Sequence, residues 1–131
     1  MSTITQMRWL RIIVGAVLAE VALFAVVVAL NFLPNGAAAL PYIVVPACVL
    51  ATFAGGRWVA RAAGQRLVLH GLLVGALAAL IYGALTWKTA IPTVYVVANW
   101  LKLAGGAAGG YAEALKNRAH TAANARTAPE G

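Results

Sequence analysis

Apolar residues fill this chain in four long runs, separated by short stretches rich in Pro, Asn, Gly and basic side chains. The runs fall at about 12–33, 41–60, 67–86 and 91–111. Each approaches the ~20 residues that a helix needs to cross ~30 Å of hydrocarbon. The pattern predicts an all-α integral membrane protein, with four transmembrane helices in an up-down bundle over residues 1–111. Residues 112–131 form a polar, Ala-rich tail, expected to extend the fourth helix for a few turns before fraying. The first run exceeds the apolar core of a secretory leader, roughly 7–15 residues, and contains Glu20, so it reads as a retained helix.

The connections set the direction of the bundle. Asn31 to Gly36 carries Pro34, Asn35 and Gly36 and no charge, which marks a turn. Pro41 and Pro46 are expected in the first turns of the second helix, where a missing N–H matters least. Arg8, Arg11, Arg57, Arg61, Arg66, Lys116, Arg118 and Arg126 all fall at one end of an up-down arrangement, and Lys88 is the one basic residue in a loop at the other. The positive-inside rule then puts both termini in the cytoplasm of a bacterial inner-membrane protein. Trp9 and Trp58 would lie at the inner interface, with Tyr42 and Trp87 at the outer one.

Composition agrees. Hydrophobic residues make up 63% of the chain and charged ones 10%, against about 25% charged in soluble domains. A net charge of +7 would suggest nucleic acid in a soluble protein, but here the basic residues flank apolar runs and read as topology determinants. The single cysteine, Cys48, lies within the second run, so neither a disulfide nor a thiolate metal site is expected.

Helix contacts in lipid depend on close backbone packing at small residues. Gly71, Gly75, Ala79 and Gly83 recur every four residues along the third helix, Ala47, Ala51 and Gly55 along the second, and Gly105/Gly109 and Gly106/Gly110 along the fourth. The Gly-rich closes of helices two and four also hint at two similar helical hairpins, a parallel repeat of the kind some transporters use.

Few polar groups are left for chemistry. Glu20 sits about three turns into the first helix, where a carboxylate is a functional candidate by default. Lys102 lies mid-way along the fourth. At ~1.5 Å per residue the two reach similar depths, roughly 12–17 Å from the basic end, so an intramembrane Glu20–Lys102 pair is expected. Asn31, on the side of Glu20, and Tyr95 and Asn99, in a stripe with Lys102, would complete a polar seam. Arg57, Arg61 and Arg66 form a dense basic turn expected to have no acidic partner within the chain, suited to lipid headgroups or a partner's acidic surface. His70 opens the third helix, and with His120 far off in the tail no metal site is expected. The chain has no Asp and no Ser beyond Ser2, so no nucleophile–base arrangement is available and enzyme activity is not expected. No cofactor is implied, although an apolar groove alone could take a lipid, pigment or quinone.

Two resemblances follow from these residues. Ala54-Gly55-Gly56-Arg57-Trp58-Val59-Ala60-Arg61, then His70-Gly71-Leu72-Leu73-Val74-Gly75, then the Gly-rich run from Ala104 to Gly110, resemble a broad group of uncharacterised bacterial four-helix small membrane proteins. That likeness covers about two-thirds of the chain and implies the architecture but no activity. Gly15-Ala16-Val17-Leu18-Ala19-Glu20-Val21 is similar to the first helix of small multidrug-resistance transporters, whose embedded glutamate binds protons and cationic drugs. That role would fall on Glu20, while Lys102, the basic second turn and the long tail depart from the family's pattern. The expected function is a non-catalytic accessory or scaffold subunit that packs through its Gly/Ala faces against itself or a membrane complex. The alternative is a small proton-coupled transporter with Glu20 as coupling carboxylate. Membrane lipids and other membrane subunits are the expected partners, and nucleic acid is not.

Overall fold

Four helices account for nearly all of residues 8–127, the part of the chain that the computed structural model describes, and no strand occurs among them. They are α1 (Trp9–Asn31), α2 (Gly36–Ala63), α3 (Leu67–Leu85) and α4 (Thr93–Thr127). Helices α1, α2 and α3 are long and apolar enough to cross a membrane, which places the chain among membrane proteins. The fourth expected span is long enough but less apolar, because Asn99, Lys102 and the glycines of its middle dilute its Val and Leu.

Successive helices run antiparallel, yet neighbours in space are not simply neighbours in sequence. The helices form a flattened ring in the order α1, α2, α4, α3. Helices α2 and α3 also touch across the middle, whereas the backbones of α1 and α4 do not approach within 8 Å among the described residues. Two ends result: a basic end, with Arg8, the α2–α3 turn and the far part of α4, and a loop end, with residues 32–35 and 86–92.

Glycine explains how α4 seats between α2 and α3. Gly105 and Gly109 lie against Val49, Thr52, Phe53 and Arg57 of α2, while Gly106 and Gly110 lie against Gly71, Gly75 and Leu67 of α3. Each pair thus serves a different neighbour, and Gly56 of α2 also meets Gly106. Helix α1 packs less closely, through Ile12 and Ala16 against Val59, Val74 and Ala78, and through Leu23 against Val44, Cys48 and Ala98.

Two local expectations are corrected, one for α2 and one for α3. Helix α2 starts at Gly36 rather than near 41, so Pro41 and Pro46 lie inside it. Asn35 in the left-handed region reverses the chain at once, and each proline then removes only one backbone donor from a helix held by its neighbours. Helix α4 continues to Thr127, well past the bundle, because its Ala, Lys and Arg residues are strong helix formers. Residues 128–131, the expected frayed end, lie outside the described residues. The small-residue groove of α3 is engaged only near the basic end: Ala79 is half-buried and Gly83 faces open space.

Candidate functional site

Glu20 and Lys102 come together at the centre of the bundle. Lys102 Nζ donates to Glu20 Oε1 at 2.5 Å, with side chains 3% and 16% exposed respectively. The pair joins the two helices whose backbones stay apart, so the long lysine side chain spans the diagonal. Gly75 makes this reach possible by letting the backbone of α3 settle against that of Lys102 and Leu103. The Lys102 ammonium also lies 4.6 Å from the centre of the Tyr82 ring, an electrostatically favourable position for a desolvated cation. A buried pair of this kind is strongly destabilised when one partner is removed, because the other is left unpaired.

From the pair, a cleft of about 660 Å³ runs toward the loop end. Val21, Phe24 and Val27 of α1, Val44 and Cys48 of α2, Ile81 and Tyr82 of α3, and Tyr95 of α4 form its walls. Its size falls within the ~300–1,000 Å³ of small-molecule sites, and its two charged lining groups, Glu20 and Lys102, sit together. The cleft exists because the glycine contacts draw α2, α3 and α4 together near the basic end, while α1 and α4 remain separated beyond it. Glu20 is the more accessible member of the pair and lines the cleft, with Oε1 held by Lys102.

The other expected seam residues divide. Tyr95 lines the cleft. Asn99 Nδ2 donates to the carbonyl of Ala79 at 3.2 Å, tying α4 to α3, and its buried Oδ1 has no hydrogen-bond partner. Asn31 is exposed and donates to the Val27 carbonyl of its own helix at 2.9 Å, so the structure does not bring it to the pair.

The basic turn has an acidic partner, contrary to the sequence reading. Glu113, 3% exposed, lies 3.1 Å from Arg57 Nε, 3.7 Å from Arg61 Nε and 4.0 Å from Lys116 Nζ. Glu113 sits four residues beyond Gly109, on the glycine face of α4. Extending that face into the tail is the signal that would have found it. Arg66 is the left-handed residue before α3, with its carbonyl 2.9 Å from His70 Nδ1. His70 is fully buried, and its Nε2 accepts the Arg8 backbone N–H at 3.4 Å. With Nε2 accepting, Nδ1 carries the proton and donates to Arg66, so His70 clasps the start of α1 to the α2–α3 turn. Arg11 completes this end by donating to the Trp58 carbonyl at 3.2 Å and stacking 4.1 Å from its ring centre.

No group of three or more metal-ligating side chains occurs among the described residues. Comparison of the chain with models of protein families, with curated proteins and with solved structures returns no match in any of the three.

Proposed function

We propose that this chain is a small, non-catalytic carrier of the bacterial inner membrane, with α4 as a fourth spanning helix, both termini cytoplasmic and Glu20 as its proton-coupling group. The observation that carries the reading is the cleft that ends on the Glu20–Lys102 pair. A carrier needs a route from one side of the membrane to an ionisable site near its middle, and a wall on the other side of that site. Here the cleft supplies the route and the glycine-packed basic end supplies the wall. Pairing with Glu20 masks the Lys102 charge, which lowers the cost of burying α4. In this mechanism, protonation of Glu20 releases Lys102, leaving the ammonium with the Tyr82 face and a net positive charge inside the bundle. Binding of an anionic solute, or loss of the proton from Glu20, restores neutrality, so occupancy and protonation are coupled.

The accessory-subunit reading stands second. Gly71, Gly75, Gly105, Gly106, Gly109 and Gly110 are all spent on contacts within the chain, which leaves Gly83 and the far part of α4 to meet a partner. The exposed extension of α4 favours this reading, because it offers a handle outside the bundle.

Reconstitution into vesicles loaded with a pH-sensitive dye tests the proposal, using a panel of organic cations, organic anions and zwitterions. At least one class should drive proton movement through the wild type and none through Glu20→Gln. Equal movement through Glu20→Gln would remove the coupling role. No movement with any class, together with co-purification with a larger complex at fixed stoichiometry, would favour the accessory subunit.

A further inference from the structure

The Glu113 cluster is built differently from the central pair. Three cations share one carboxylate, so a surplus of two positive charges (3 − 1) remains where α2 meets α4. The acid is buried and the bases are not: the side chains of Arg57, Arg61 and Lys116 are 38%, 57% and 45% exposed. Both arginines approach Glu113 through Nε, which leaves their Nη groups for another acceptor. The same face of α2 continues toward the middle of the bundle as half-buried Phe53 and exposed Leu50, at helical spacing from Arg57 and Arg61. One stripe is therefore basic at its end and apolar along its length.

We propose that this junction binds an anionic phospholipid, its phosphate held by Arg57, Arg61 and Lys116 and an acyl chain laid along Phe53 and Leu50. Guanidinium groups suit this task because their planar forks match phosphate oxygens. Glu113 acts as a positioning residue, fixing the cations from behind so that their outer faces converge. The proposal rests on membrane insertion but not on transport, since lipid binding is measured without flux.

Native mass spectrometry of the full chain in detergent, titrated with phosphatidylglycerol or phosphatidylcholine, tests it. Phosphatidylglycerol should bind preferentially. Arg61→Gln should weaken that binding roughly fivefold, the share expected of one basic residue at an anionic headgroup, and Arg118→Gln in the exposed extension should leave it unchanged. Glu113→Ala makes the junction more positive, yet it should weaken binding because the arginines lose their support. Tighter binding by Glu113→Ala, or equal losses in Arg61→Gln and Arg118→Gln, would mean diffuse charge attraction and overturn the proposal. Displacement of the lipid by inorganic phosphate at matched concentration would overturn the assignment to a lipid. Should Glu113→Ala fail to fold, the comparison of Arg61→Gln with Arg118→Gln decides alone.

Discussion

Gly106 touches two helices at once, and Gly83 touches none. A methyl group on Gly106 would run into the backbone of Gly71 and Gly75, whereas one on Gly83 would meet nothing within 4 Å. Gly106→Ala should therefore destabilise the bundle by about 1–3 kcal/mol, the usual range for overpacking. Gly83→Ala should be neutral or slightly stabilising, since alanine is the better residue inside a helix. Thermal unfolding in detergent, compared between the two variants, checks this, and an equal loss in both would contradict the packing described. The sequence showed the spacing of these glycines but could not show which neighbour each would meet. Depth counting likewise put Glu20 and Lys102 at similar heights, because rise per residue is fixed. The diagonal placement of their helices was not legible, since spacing along one helix says nothing of ring order. Glu113 was missed because it lies beyond the apolar run, where a glutamate ordinarily reads as solvated.

Helix boundaries followed from hydrophobic runs where charge or turn residues interrupted them sharply. Helix α3 matches its run closely, from Leu67 to Leu85. Helix α2 begins earlier because Ala37, Ala38 and Ala39 are good helix formers, and a turn of four residues (32–35) suffices between α1 and α2. Prolines are weak stop signals when neighbouring helices hold the segment on both sides. In α4 the apolar run and the helix are different lengths: the helix is 35 residues, about 52 Å at 1.5 Å per residue, and exceeds any bilayer core. The run and one further turn, which carries buried Glu113, mark the part packed between α2 and α3, while the helix from Leu115 onward is exposed and projects from the basic end. Helicity and burial are separate properties, and only burial was visible as hydrophobicity.

At the scale of the whole molecule, the two ends are built differently. Glycine contacts, the His70 clasp and the Glu113 cluster all gather at the basic end, and the cleft occupies the loop end. The proposed orientation and the fourth span share one prediction, made in a Cys48→Ala background. A membrane-impermeant maleimide should label Thr89→Cys in intact cells and Arg118→Cys only after permeabilisation. Labelling of both from the same side would contradict α4 as a span, and the reverse pattern would invert the topology. In the proposed carrier the Glu20 carboxylate exchanges protons from within the bundle rather than serving as a fixed strut. The chain has only three acidic side chains, all glutamates, which makes infrared difference spectroscopy of vesicle-embedded protein the most direct test. Acidification should produce a protonated-carboxyl band that reverses in alkaline buffer and is absent from Glu20→Gln. A Glu20 that stays ionised wherever the fold survives would show the pair to be structural and contradict the account.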